Sequence, residues 1–278
     1  MSSHLEVIPD EDVGREREIE ENLDYADPLR HLMHGADDFS DDDVPHTDST
    51  VLPAQRPSIL GDTITLTFPD PVAHVGVAPV NVRLKVDATS GCGGMHWPAG
   101  QTLGNYLAWR GASALTGRTI VELGAGTGLV GFVAGALGGD VLITDQAPLL
   151  PLMRENTLLN GLENRVKVAE LNWGPLPKEL QKKVDMVLAA DCVYFEPAFP
   201  LLVQTLVDLV HDDTEVLFCY KKRRKADKRF FNLLKKHFTW SEVTDDPARS
   251  IYNKDAISLF RLHPKTLRPT EFKFRRLF

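Results

Sequence analysis

Cysteine is scarce in this chain: Cys92, Cys192 and Cys219 are the only three among 278 residues, at no repeated spacing. An odd, unpatterned set excludes a disulfide framework and a zinc cage and suits a reducing compartment. The nine histidines show no HExxH or other ligand spacing, so no metal is expected. Long hydrophobic runs are missing as well. The longest uncharged apolar run, the 17 residues between Glu122 and Asp140, is broken by glycines and too short to span a bilayer. The N-terminus MSSHLEVIPDEDVGRERE has neither a basic start nor an apolar stretch, so no secretory signal is expected. These absences point to a soluble intracellular protein without membrane contact. The cytoplasm is the expected location, with the nucleus left open.

Basic residues are almost absent from one end only. Residues 1–50 hold 16 Asp/Glu against 3 Lys/Arg, a net of −13, so the other 228 residues sum to +5 and the formal −8 describes the leader. Residues 1–55 include DDFSDDD and few regularly spaced apolar residues. They are expected to form a disordered acidic leader, either a solvated tail or a segment that folds against a partner. Residues 56–278 have the composition of one globular domain.

The pattern changes at Ile59. TITLTF and VNVRLKV alternate apolar and polar residues at period two, which predicts an N-terminal β-hairpin extension over 59–90. In GCGGMHWPAGQTLGNYLAWRG, Pro98 suits a first helical turn. Leu103, Tyr106 and Leu107 recur at helical spacing up to a stop at Gly111. Beyond Arg118, strands alternate with helices: TIVEL, DVLIT, RVKVAEL, VDMVLAA and EVLFCY are separated mostly by helical segments, the last of them ADKRFFNLLKKHF. TWSEV and AISLFRL follow as further strands. Almost wholly apolar strands are buried on both faces. The fold class is therefore α/β, a doubly wound, mostly parallel seven-stranded sheet, with the last strands able to run antiparallel. Ligands in such sheets bind beyond the carboxyl ends of the strands, so the loops there carry the chemistry.

The first of these loops is ELGAGTG. A dinucleotide fingerprint counted from Gly124 needs Gly or Ala at 129, where Leu129 stands. Glu122 precedes the turn. A carboxylate there disfavours a pyrophosphate but suits S-adenosyl-L-methionine, whose ammonium and sulfonium outweigh its carboxylate. Asp145, 21 residues after Gly124, could accept both hydroxyls of a ribose, or could cap the helical segment from Ala147. Trp173 in LNWG and Trp97 in GGMHWPAG could each pack on an adenine or serve as a core lid.

In AADCVYF, Asp191 and Tyr194 would supply oxygen atoms and a π-face to positive charge arriving on a methylated nitrogen, with Asp191 orienting the amine. Alternatively, Asp191 caps the following helix. Cys192, among apolar neighbours with no activating histidine, reads as a packed thiol. The Asn/Asp-Pro-Pro-aromatic motif common in nucleic-acid amino-methyltransferases is absent. The block KKRRKADKR, residues 221–229, could grip RNA, an acidic protein surface or the leader, or simply start a solvated helix. It lacks the aromatic pattern of sequence-specific nucleic-acid binding.

With these residues in place, the chain resembles the seven-strand S-adenosylmethionine-dependent methyltransferases. More narrowly, it is similar to the protein-lysine methyltransferases acting on chaperones and elongation factors. Four blocks between Ile59 and Leu262 carry the resemblance: G-x-x-W-P-A-G-x-x-L at Gly94 to Leu103, VELGAGTGLVG with ITD ending at Asp145, LNWG, and ADCVY. The resemblance implies that Trp97, Gly124, Ala125, Gly126, Asp145, Trp173 and Ala190 contact the cofactor, with Glu122 beside them. It also implies that Asp191 and Tyr194 form an Asp-x-x-Tyr motif at the target lysine. YKKRRKADKRFF looks like the fungal branch whose substrate is translation elongation factor 1-alpha, which would then be the partner of a monomeric enzyme. Another protein or RNA substrate, an NAD-dependent oxidoreductase and a non-catalytic translation-associated adaptor remain as alternatives.

Overall fold

The computed structural model describes residues 60–70, 74, 76–87, 94, 97–180, 182–223 and 227–265, together with Ile19 and Asn22. Apart from Ile19 and Asn22, the acidic leader expected over residues 1–55 lies outside the described residues, as does Cys92.

Strands β1 (Leu60–Phe68) and β2 (Val80–Asp87) pair antiparallel, the hairpin their alternation predicts. Phe68, Val82 and Leu84 are buried, whereas Thr63, Thr65 and Thr67 face water. Next come α1 (Pro98–Arg110), β3 (Thr119–Leu123), α2 (Leu129–Ala136), β4 (Asp140–Asp145), α3 (Leu150–Leu159) and β5 (Val166–Glu170). Pro98 opens α1, and Gly111 ends it at φ 74°, a left-handed conformation that glycine reaches without Cβ strain.

The hairpin is fastened to α3 by two amides. Asn156 Oδ1 accepts from Lys85 N at 2.7 Å while its Nδ2 donates to Lys85 O at 3.1 Å. Asn160 repeats the pattern on Arg83, at 2.8 and 2.7 Å. Residues four apart on a helix rise about 6 Å, close to the roughly 6.8 Å of two strand residues. One helix face can thus satisfy the open edge of β2 as a neighbouring strand would. Asn156 Nδ2 also donates to Thr127 O at 3.1 Å, which links the hairpin to the glycine turn.

Strands β6 (Met186–Ala190) and β7 (Glu215–Lys221) flank α4 (Phe199–Leu209). The chain closes with α5 (Asp227–Leu234), β8 (Phe238–Glu242), α6 (Arg249–Tyr252) and β9 (Ile257–Pro264). The seven-stranded sheet runs β5-β4-β3-β6-β7-β9-β8, with β3 to β7 parallel and β9 antiparallel to both of its neighbours. The doubly wound, mostly parallel seven-stranded sheet expected from the strand–helix alternation is the one that forms. Helix α5 is shorter than ADKRFFNLLKKHF suggested. Its last turn tightens at Lys236 and His237, because Phe238 is buried in the edge strand β8 opposite Pro264.

One face of the sheet packs on α1, α2, α3 and the hairpin, the other on α4 and α5. The strand order reverses between β3 and β6, so the crevice lies beyond their carboxyl ends.

Candidate active site

The glycine turn after β3 begins at Gly124, whose φ of 61° favours glycine. A Cβ there would stand 3.1 Å from Trp173 Cζ2 and 3.2 Å from Cys192 Sγ, so the indole from the loop after β5 lies directly against the turn. Asp145, at the end of β4, accepts from Gly126 N at 2.8 Å and from Gln146 N at 2.7 Å. The alternative that it caps the helical turn from Ala147 is corrected: that turn has no side-chain cap. Each oxygen of Asp145 keeps a lone-pair direction beyond its single N–H donor, as acceptance of a ribose diol requires. Burial raises its carboxyl from 3.8 to about 6, against the lowering effect of those two N–H groups.

Glu122 requires a correction of the sequence argument. Its side chain turns under the turn and into α2, where Oε2 accepts from Gly131 N at 2.8 Å, and it is 3% exposed. A Cβ on Gly131 would come within 2.7 Å of that oxygen and 2.2 Å of Ile143 Cγ2, so Glu122 and Ile143 together fill the space a side chain at 131 would need. Burial raises its carboxyl from 4.5 to about 8; the Gly131 N–H opposes the shift and Asp145 adds to it. At neutral pH Glu122 is therefore largely uncharged. It shapes the turn from beneath rather than repelling a ligand across it.

What faces the crevice is Asp145, whose acceptor oxygens suit a neutral diol.

Cys192 sits among the carboxyls. Its thiol is 3% exposed, donates to Leu123 O at 3.3 Å and is pushed far up, first by burial and then by Asp145, Asp191 and Glu122. It is a packed thiol, not a nucleophile.

Asp191 follows β6 with φ 55°, the left-handed region that a non-glycine residue enters at a cost and aspartate tolerates better than most. Its Oδ2 accepts from Ala99 N at 2.9 Å, in the first turn of α1. The expectation that it might cap the following helix is corrected: it bonds the start of α1, 92 residues earlier in the chain. Its Oδ1 accepts from Arg223 Nη1 at 2.8 Å. Trp97, at the N-cap of α1, lies under the Arg223 guanidinium, 5.9 Å from ring centroid to Cζ. Tyr194 meets Trp173 edge-on at 6.4 Å and 61°. Ala190 ends β6 opposite Cys219. Gly124, Ala125, Gly126, Asp145, Trp173, Ala190, Asp191, Tyr194 and Trp97 thus gather along the carboxyl rim of the sheet, beside the reversal of strand order. Glu122 lies beneath it.

The lysine methyltransferase family model matches residues 78–237, which span the hairpin's second strand, the glycine turn and the Asp191 loop. This chain belongs to the lysine methyltransferase family. The protein-lysine N-methyltransferase EFM6 of Saccharomyces cerevisiae is 39% identical over 241 residues, covering 74% of this chain and 98% of EFM6. The protein N-lysine methyltransferase METTL21A of Danio rerio is 40% identical over 185 residues, covering 65% and 84%. The EEF1A lysine methyltransferase 3 of Mus musculus is 37% identical over 145 residues, covering 51% and 62%. The methyltransferase is an enzyme with a protein substrate and S-adenosyl-L-methionine as its cofactor. The oxidoreductase and adaptor readings are thereby set aside. Among the described residues, no helix is long and apolar enough to cross a membrane.

Sequence reasoning missed three contributors to this site: the Ala99 N–H, Asn156 and Arg223. The basic block was read as a grip for RNA, an acidic protein surface or the leader, or as a solvated helix start, yet Arg223 pairs with Asp191 and Arg229 with Glu196, while residues 224–226 lie outside the described residues. One signal was present: Asp227, four residues after Arg223, is an acid inside a basic run, and it is buried and accepts from Arg223 N at 3.1 Å.

Proposed function

We infer that this methyltransferase modifies a lysine of translation elongation factor 1-alpha in the cytoplasm, acting as a monomer through a catalytic domain spanning residues 56–278. The observation that carries the site assignment is the Asp191 loop. A carboxylate held in a left-handed conformation stands at the switch point, with Tyr194 three residues on and Trp173 beside it. Support for the substrate comes from the YKKRRKADKRFF block and from the relative named for EEF1A lysines.

Asp145 would accept the ribose hydroxyls, with Trp173 packing on the adenine. Gly124, Ala125, Gly126 and Ala190 would present backbone to the methionyl part, and Trp97 would close the rim. Glu122 would act through the turn it supports. When bound, the cofactor supplies a methyl group on a sulfonium, transferred to the amine lone pair as the C–S electron pair returns to sulfur. Asp191 and Tyr194 would orient the lysine in line and face the positive charge that arrives on its nitrogen. The walls formed by Trp97, Trp173 and Tyr194 would exclude water from that line.

The test uses purified elongation factor 1-alpha from cells lacking this enzyme, tritiated S-adenosyl-L-methionine, and peptide mass spectrometry. Label on one lysine, lost in Tyr194→Ala while cofactor binding persists, is the expected result. Label confined to another protein of the same lysate, or removed by nuclease, would overturn the substrate assignment.

A further inference from the structure

Arg223 follows β7 and is the third of five consecutive basic residues. Its neighbour Lys222 is exposed, but the Arg223 side chain is only 10% exposed and the Asp191 side chain 3%. The guanidinium Nη1 donates to Asp191 Oδ1 at 2.8 Å and to Lys221 O at 3.3 Å, and its Cζ lies 5.9 Å from the Trp97 ring centroid. The Arg223 N–H bond to Asp227 Oδ2 fixes the backbone from α5. The arginine is thus held from three elements beside the carboxylate assigned to the target amine.

The pairing bears on a conflict in the chemistry. A lysine is neutral in about one molecule per thousand at pH 7, and only the neutral amine has the lone pair that attacks. An unopposed carboxylate 4–6 Å away would raise the amine's pKa by about 1–3 units and hold it as ammonium. A carboxylate already neutralised by a fixed guanidinium can still accept a hydrogen bond from the amine without that penalty. We propose that Arg223 is a positioning residue that cancels the charge of Asp191, so that the target lysine is held as the free amine after its proton has left to solvent. This rests on the reading of Asp191 as the amine-side residue.

Other charged or titratable groups among the described residues also surround this corner. Asp227 faces it from α5, and Lys221 offers a backbone N–H to Asp191 Oδ1 at 3.4 Å. The thiols of Cys192 and Cys219 are both pushed well up by burial, then by Asp191 among other carboxylates, and stay protonated. Asp145 and Glu122 also act electrostatically on Cys192, and Asp246 on Cys219. Helix α1 presents the Ala99 N–H and Trp97.

The experiment is the pH profile of the single-turnover methylation rate at saturating cofactor and protein substrate, for wild type, Arg223→Gln, Arg223→Lys, Asp191→Asn and the Asp191→Asn/Arg223→Gln double variant. Calorimetry with S-adenosylhomocysteine confirms that each still binds. Arg223→Gln should move the rising limb up by about one unit or more, at least a tenfold loss at pH 7 that narrows toward pH 9.5. Arg223→Lys should restore most of the limb position. In the double variant, which leaves no unopposed carboxylate, the limb should return toward wild type even where the absolute rate is low. If the single Arg223→Gln protein fails to fold, Asp191→Asn carries the test: with the guanidinium left unopposed its limb should move below wild type, and a limb that stays in place while the rate falls would overturn the proposal. An unmoved limb in Arg223→Gln, or a faster rate at pH 7 because Arg223 had been occupying the amine's seat, would overturn the proposal. Full activity and an unmoved limb in Asp191→Asn would instead overturn the reading of Asp191.

Discussion

Glu122→Gln isolates the buried carboxyl beneath the glycine turn. Glutamine has nearly the same shape and keeps an oxygen to accept from Gly131 N, so the perturbation is the loss of ionisation alone. The wild-type carboxyl goes from 4.5 to about 8 on folding, because burial disfavours its charged form. The folded state therefore binds the proton more tightly than the unfolded chain. Its contribution to stability is fully present below about pH 4.5 and is lost as pH rises through about 8. Integrated over that window, Glu122 costs the wild-type protein about 4 kcal/mol between pH 5 and pH 8.5. Glutamine carries no such penalty. Urea unfolding at pH 5, 6, 7, 8 and 8.5 should show the two proteins drawing apart, the variant gaining steadily on wild type by about that amount. Parallel pH curves, or a variant that loses ground as pH rises, would refute the placement of a neutral carboxyl in this pocket.

Two further substitutions probe the rim and the fastening of the hairpin. Asp145→Ala removes the acceptor proposed for the ribose diol and frees Gly126 N, so calorimetry should show affinity for S-adenosylhomocysteine falling about tenfold to a hundredfold, equivalent to about 1.5–3 kcal/mol. Unchanged affinity would remove the diol from Asp145. Asn156→Ala breaks the bonds to both backbone groups of Lys85 and to Thr127 O, leaving buried groups unpaired. It should cost about 2–4 kcal/mol in urea unfolding and expose β2 amides to hydrogen exchange, whereas Leu158→Ala on the exposed side of α3 should do neither.

What the sequence made legible were features fixed by local periodicity. The alternation in TITLTF sets one face of β1 against the core, and the apolar run of VDMVLAA is explained by a central strand with helices on both sides. The strand-end positions of Gly124, Asp145, Trp173 and Asp191 follow from the same counting. Features set by contacts between distant residues were hidden. The insertion of β9 between β7 and β8 depends on pairing across the sheet, which no local window contains. Glu122 was read as facing the ligand because its position beside the turn was visible while the direction of its side chain was not. Arg223 lies 32 residues from Asp191, inside a basic run that suggested a surface. Asn156 lies 71 residues from Lys85, in a helix whose apolar pattern gives no hint that an amide completes a strand edge.

The most direct measurement is a crystal structure of the enzyme with S-adenosylhomocysteine and a lysine-containing segment of elongation factor 1-alpha. The predicted result has the ribose hydroxyls on Asp145, the adenine against Trp173, and the lysine Nζ between Asp191 and Tyr194 with Arg223 still paired to the carboxylate. A ribose seated away from Asp145, or a lysine entering from any side other than the Asp191 loop, would contradict the account.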